Sequence, residues 1–275
     1  MKIVSSGKVL NSREFYNKKI KKRRFQLILI SIGFLSILFA LVYFSRQERF
    51  LITTVTVMGE NMVDKEEITQ IAQNLLAGYY LWVIPRANTL IYPRYTIERN
   101  LLEQSPRLKS VDLNLDKDRK LLITVVERVP FALYCVGNLN NECFFLDEEG
   151  FIFAHAPSFS SGVYFVYRTK DLIENPIGKR FFTIEEFRSL SKFLETFFVL
   201  GIQLLALEIG DDEYRLSLLN NGQIIWRRDS DFTLIHSNLE AFLSDNSIQA
   251  QGDFLDKILY LDLRIENKVF YKFKD

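Results

Sequence analysis

Hydrophobic and polar positions fall into three regimes along this chain. From Phe25 to Phe44, FQLILISIGFLSILFALVYF, apolar residues run without any period: fourteen of the twenty are Leu, Ile, Phe or Val, and none is charged. At ~1.5 Å per residue such a helix spans about 30 Å, the hydrocarbon thickness of a bilayer. A core helix of this length keeps a polar face, and this run has none. A cleavable signal peptide ends in a small-x-small site, whereas this run passes into Tyr43-Phe44-Ser45-Arg46-Gln47-Glu48. The expectation is a permanent single transmembrane helix over residues 25–44.

From residue 50 to 128 the periods alternate between those of strand and helix. Ile52–Gly59 alternates through Val55 and Val57 and turns at Gly59-Glu60-Asn61. Asp64 and Glu67 form an acidic variant of the capping box, after which Ile68, Ile71, Ala72 and Leu75 share one helix face that Gly78 ends. Tyr79–Pro93 carries no assignable pattern. A helix over about Pro93–Gln104 buries Ile97, Leu101 and, at its margin, Leu102, and stops before Pro106. Two alternating strands follow, Leu108–Asp116 and Leu121–Val126, joined by Lys117-Asp118-Arg119-Lys120. The order is βααββ, and helices on one side of a small sheet would bury both apolar faces.

From residue 129 to 275 the pattern is mostly strand. Phe131–Val136 and Cys143–Leu146 flank a turn-rich loop, Gly137–Glu142, which in the simplest register sets Cys135 opposite Cys143. A disulfide is geometrically possible there and an oxidising compartment would favour it; two half-buried free thiols are the alternative. Val163–Tyr167 reads as a strand. Thr183 and Glu186 form a capping box for a helix burying Phe187, Leu190, Phe193, Leu194 and Phe197. Ile202–Ile209, Tyr214–Leu219 and Ile224–Trp226 read as strands, the last two joined by Asn220-Asn221-Gly222. Asp231 caps a second helix through Leu239, Phe242 and Leu243. Lys257–Ile265 and Lys268–Lys274 form a closing hairpin about Glu266-Asn267. The predicted fold class is α+β: a transmembrane helix, a βααββ module, and a mostly antiparallel β domain with two helices.

Charge orients the span. Residues 1–24 hold nine Lys or Arg, with Lys18-Lys19-Ile20-Lys21-Lys22-Arg23-Arg24 beside the apolar run, against the single acid Glu14. The whole chain is +1 and the apolar run uncharged, so residues 45–275 carry −7 between them. Basic flanks stay cytoplasmic, which predicts a polar, disordered tail inside and the 231-residue body outside. The basic run is explained by topology and anionic lipid, and no nucleic-acid partner is inferred from it.

The residues that carry chemistry elsewhere do not form sets here. His155 and His236 have no neighbouring ligands in H-E-x-x-H or C-x-x-C spacing, and no phosphate-binding glycine motif is present. Ser158-Phe159-Ser160-Ser161-Gly162 lacks the G-x-S-x-G elbow. The paired acids Glu66-Glu67, Glu148-Glu149 and Glu185-Glu186 sit in caps or turns. No catalytic, metal-binding or cofactor-binding residues are assigned. Carboxylates that meet only in space, as in a glycosidase, remain an alternative.

Several short motifs stand in a telling order. They are Pro106-Arg107-Leu108-Lys109-Ser110-Val111, Leu121-Leu122-Ile123-Thr124-Val125-Val126-Glu127-Arg128-Val129-Pro130, Phe145-Leu146-Asp147-Glu148-Glu149-Gly150-Phe151-Ile152-Phe153, and Tyr260-Leu261-Asp262-Leu263-Arg264. The first two resemble a POTRA module. With the basic tail and single span, the ensemble is similar to the FtsQ/DivIB family of bacterial cell-division proteins, over roughly residues 18–275. The resemblance implies a cytoplasmic tail (1–24), a span (25–44), a POTRA domain (50–128) and a β domain (129–275). It also implies a non-catalytic division scaffold in the cell membrane at the septum. Its partners would be small coiled-coil single-pass division proteins and the septal peptidoglycan synthase complex.

The last strand is where that resemblance places binding. Lys268-Val269-Phe270-Tyr271-Lys272-Phe273 alternates, and an edge strand presents unpaired N–H and C=O groups that are either blunted or used to receive another chain. The family's pattern carries over Ile265, Asn267 and Phe273, with Tyr271 pairing through its backbone and Phe270 and Lys272 standing where small residues are usual. Lys268, Lys272 and Lys274 are what a merely protected edge would show. A cell-wall enzyme and a receptor ectodomain are the alternative functional classes.

Overall fold

The apolar run is the centre of one continuous helix, α1 (Ser12–Ser45), in the computed structural model, which describes residues 12–137, 142–158, 160, 162–170, 173–250, 252 and 254–274. Its apolar window has a mean hydropathy of 2.7 and is 0% buried. It is the one helix among the described residues long and apolar enough to cross a membrane. Residues 12–24, expected in a disordered tail, are helical instead. Once the apolar segment has nucleated, extension through Lys and Arg costs little.

The chain divides into two compact units, one comprising residues up to 58, 65–99 and 112–124, the other 59–64, 100–111 and 125–275. In the first, a single helical turn (Glu48–Phe50) leads into β1 (Thr54–Met58) and then α2 (Lys65–Leu76), which packs against β1 with Ile68, Ala72 and Leu76 buried. The stretch without an assignable pattern contains a tight hairpin of β2 (Tyr79–Tyr80) and β3 (Ile84–Pro85). α3 (Arg94–Gln104) buries Ile97 and Leu101 and precedes β4 (Leu108–Leu115) and β5 (Lys120–Glu127). The strands form a sheet of order β1-β5-β4. β5 runs parallel to β1, pairing Val55 with Leu121 and Val57 with Ile123, as a connection through helices permits.

The second unit holds a nine-stranded sheet. Its elements in chain order are β6 (Ala132–Val136), β7 (Cys143–Leu146), β8 (Ile152–His155), β9 (Val166–Thr169), α4 (Ile184–Val199), β10 (Leu204–Ile209), β11 (Glu213–Leu218), β12 (Gln223–Arg227), α5 (Phe232–Leu243), the single turns α6 (Asn246–Gln249) and α7 (Phe254–Lys257), β13 (Ile258–Asp262) and β14 (Phe270–Phe273). In space the order is β14-β13-β12-β11-β10-β9-β6-β7-β8. Most junctions are antiparallel, while β12–β13, β10–β9 and β9–β6 are parallel. Two of these lie across helical crossovers, α4 between β9 and β10 and α5 to α7 between β12 and β13, and a crossover returns the chain in its original direction.

α4 begins with the capping box of Thr183 and Glu186 and buries Phe187, Leu190, Phe193, Leu194 and Phe197. Those rings meet Trp226, Tyr134 and Tyr167 in a core where Phe193 also stacks on Phe232 at 4.5 Å. Two expectations change. The strand placed at Val163–Tyr167 begins at Val166, because the chain is still turning at Val163, whose N–H donates to the Ser160 carbonyl. The closing hairpin is shorter than expected, with residues 263–269 as its loop, so Ile265 and Asn267 lie off the strands. The Gly137–Glu142 loop and the Ser158–Gly162 stretch fall partly outside the described residues, as do residues 1–11.

Candidate functional site

The motif around residue 127 is a set of structural ties. Glu127 Oε1 accepts from the backbone N–H of Asn61, Met62 and Val63 at 2.7, 2.8 and 3.0 Å. Burial pushes its pKa up, but those three donors and the Arg107 charge outweigh it and hold the carboxyl below its usual range. The next residue points elsewhere. Arg128 pairs with the buried Asp147, donates from Nε to the Pro106 carbonyl at 3.1 Å, and lies over the Phe151 ring at 3.9 Å. Asp147 Oδ1 also accepts from Glu149 N and Phe151 N at 2.9 Å each, closing the turn that Gly150 completes with φ +72°. Around them Lys109 pairs with Glu148 at 2.6 Å, and Glu149 pairs with Arg180 and Arg188 at 3.2 and 3.1 Å. Each carboxylate named here has a cation or backbone partner.

The two cysteines pair across the β6–β7 hairpin in the register Cys135↔Cys143 and are joined as a disulfide. His155 packs its ring on Phe144 at 4.7 Å, and His236 faces Glu240 at 3.6 Å on α5. Among the described residues no group of three His, Cys, Asp or Glu could hold a metal ion. A cavity of about 630 Å³ is lined by Gly201, Gln203, Leu219, Asn220, Leu255 and Asp256 among others, with Asp256 the one ionisable side chain among the described lining residues.

The C-terminal edge has different properties. β14 pairs with β13 through Asp262↔Phe270, Leu261↔Tyr271 and Tyr260↔Lys272. The period-two alternation puts Tyr260, Asp262, Phe270 and Lys272 on one face of the sheet and Leu261, Tyr271 and Phe273 on the other. Tyr271 touches Phe242 of α5 at 5.1 Å and Phe273 at 5.4 Å, so Phe273 is half-buried against the core. Phe270 and Tyr271 are 49% and 45% exposed, and Leu259 and Tyr260 on β13 add exposed apolar surface outside the residues expected to bind. Ile265 is 51% exposed in the loop, and Asn267 turns the loop at φ +56°. Asn267, Val269 and Tyr271 then line one side of a cavity of about 210 Å³ whose other side is Asn238, Phe242 and Ile248.

Two anchors hold this edge in place. Arg264 grips Asp262 with Nε–Oδ1 at 2.9 Å and Nη2–Oδ2 at 2.6 Å and reaches Glu213 Oε2 at 3.0 Å. Both carboxyls are held below their ordinary range, Asp262 chiefly by Arg264 and Glu213 chiefly by Arg215. At the other end, Lys274 Nζ donates to the carbonyls of Asn220 and Asp256, and Gly222 lies so close to the Ile258 carbonyl that a Cβ would sit 2.5 Å from it. One face of β14 is therefore paired, while its outer backbone groups make no hydrogen bond to another element among the described residues. The opposite edge is covered at the start of β8, where Ile152 exchanges backbone hydrogen bonds with Gly178 and Lys179. No family model and no curated protein sequence matches this chain.

Proposed function

We propose that this chain is a non-catalytic scaffold of the bacterial division apparatus, of the FtsQ/DivIB type, with its basic tail in the cytoplasm and its body outside the cell membrane. The βααββ elements over residues 50–128 act as its POTRA module. The observation that supports this reading is the last edge of the large sheet: β14 is anchored by the Arg264 and Lys274 contacts, and its outer backbone groups make no hydrogen bond to another element among the described residues. An open, anchored edge receives a strand from another protein, and the exposed Phe270, Tyr271, Tyr260 and Ile265 supply the side-chain contacts. The partners that fit are small coiled-coil single-pass division proteins, which the shared membrane brings to high local concentration. Through them the scaffold positions the septal peptidoglycan synthase complex.

Hydrogen exchange on the full chain in nanodiscs, with and without such a partner, tests the proposal. Protection is expected over residues 258–274, and Phe270→Asp, a change at an exposed position, should abolish it. Protection confined to residues 54–127 would move docking to the small sheet. Turnover of a wall polymer by the purified chain would refute the scaffold role.

A further inference from the structure

Among the described residues other than glycine, the β2–β3 hairpin alone places apolar side chains at positive φ. Leu81 and Trp82 form its tip and are 88% and 92% exposed. Both adopt left-handed backbone angles, φ +46° and +67°, which bulky residues avoid. A hairpin tip in water would carry Gly, Asn or Asp at such positions. Tyr79 at its base and the neighbouring Leu90 are 53% and 79% exposed, so the tip belongs to a wider apolar rim.

The hairpin is tied to the outer end of α1 by side-chain and backbone bonds. Arg46, just past the helix, donates from Nε to the Val83 carbonyl at 2.9 Å and lies over the Tyr79 ring at 5.6 Å. Asn88, 3% exposed, donates to the Ser45 carbonyl at the helix terminus at 3.0 Å and receives the Leu90 N–H at 3.0 Å. Phe50 accepts from Thr89 N, and Ala87 from Ile52 N, at 2.8 Å each. Trp82 is bonded to Val83, so its Cα lies ~3.8 Å from that of the residue Arg46 holds. The tip is thus fixed within reach of the level at which the span leaves the hydrocarbon, marked by the aromatic pair Tyr43 and Phe44. Arg46, Arg49 and Arg86 flank it, with Glu48 the acid among them. Arg46 and Arg86 lie over the Tyr79 and Tyr80 rings, and Trp, Tyr and Arg side by side are the composition of a membrane–water interface.

We propose that the Tyr79–Pro85 hairpin is a second, interfacial membrane anchor: Leu81 and Trp82 insert among the lipid headgroups of the leaflet where α1 emerges, and the arginines meet their phosphates. The hairpin is bonded to the end of α1, whose exposed apolar length the bilayer covers, and this makes lipid its occupant. Two fixed points in one bilayer hold this unit at a set rotation about the helix axis, where a helix alone would leave it free to swivel. The inference rests on α1 spanning a membrane and is independent of the division role.

The chain's two tryptophans make the test direct, since Trp226 is fully buried in the other unit. The full chain is placed in nanodiscs of phosphatidylethanolamine and phosphatidylglycerol, with and without phospholipids brominated near the top of the acyl chain. Bromination should quench about half the emission of the unaltered chain and little of that of Trp82→Ser, whose exposed position leaves the fold intact. Equal quenching of the two proteins, or ready quenching of Trp82 by aqueous iodide in the disc, overturns the proposal. So does shielding of Trp82 that appears only after a second protein is added. Failure of the chain to enter discs, read by gel filtration, would instead remove the span and this inference with it, while leaving strand addition at β14 testable in solution.

Discussion

Arg128 and Asp147 form a nearly buried ion pair, 11% and 3% exposed at their side chains, and each is also committed to backbone: Arg128 to the Pro106 carbonyl, Asp147 to the N–H groups of Glu149 and Phe151. This one contact joins three of the motifs seen along the chain, at 106–107, 127–130 and 145–153. Stretches far apart in sequence thus meet in space. Glu127 beside them clamps the 61–63 turn in the same way.

Removing one member of that pair strands the other as a buried charge, which typically costs about 3–5 kcal/mol. Arg128→Met and Asp147→Leu should both lower stability by that order, Asp147→Leu by more because two turn N–H groups also lose their acceptor. The double variant should recover part of the loss. Denaturant unfolding of the full chain in detergent, followed by Trp226 emission, checks this; additive losses in the double variant would show that the two side chains do not couple.

Gly150 stands at φ +72° with Phe187 Cγ only 2.7 Å from where a Cβ would be. Gly150→Ala therefore combines left-handed strain with overpacking against a fully buried ring, about 2–4 kcal/mol together. The expected result is a lowered unfolding midpoint that Phe187→Leu, by making room, partly restores. An unchanged midpoint in Gly150→Ala would mean that the turn relaxes without touching α4.

Much of this was legible in the sequence where local and tertiary signals agree. α4 is the clearest case, with its Thr183–Glu186 box and five inward side chains all readable from spacing. The β2–β3 hairpin was not legible, because its turn uses Leu81 and Trp82 at positive φ in place of the Gly or Asn that marks a turn. The early end of β13 was hidden for another reason. Asp262 and Arg264 look like ordinary alternating strand residues, and only their mutual grip, together with Glu213 from β11, turns the chain off the ladder. Likewise Ile152–His155 pairs as β8 only because Asp147 closes the preceding turn. Which strands run parallel depends on crossover handedness, which no window of residues contains.

The Cys135–Cys143 disulfide closes a short loop, with a sequence separation of 8. Loop-closure entropy alone assigns such a bridge about 2–3 kcal/mol. Chain exported across the membrane should carry no alkylatable thiol until reduced, and Cys135→Ser with Cys143→Ser should unfold at lower denaturant by that amount. A mass shift for two free thiols in chain purified without reductant would place the body in a reducing compartment and argue against the outward topology.

The last strand should depend on pH through the Arg264 clamp. Asp262 and Glu213 have depressed pKa values in the folded chain, caused first by Arg264 and Arg215 respectively. A depressed carboxyl pKa contributes stability that is present above the unfolded value, about 3.9 for Asp and 4.3 for Glu, and is lost as pH falls through the lower folded value. Arg264 is 43% exposed, so solvent screening keeps the effect local to the strand it holds. Arg264→Met should therefore speed amide exchange across residues 258–273 at neutral pH while leaving α4 and β6 unchanged. The unaltered chain should converge on the same exchange pattern only once the pH has fallen through the depressed folded values of both carboxyls, below their ordinary range. Equal protection of β14 in both proteins at neutral pH would show that Lys274 and the Phe242–Tyr271–Phe273 contacts hold the edge without the clamp.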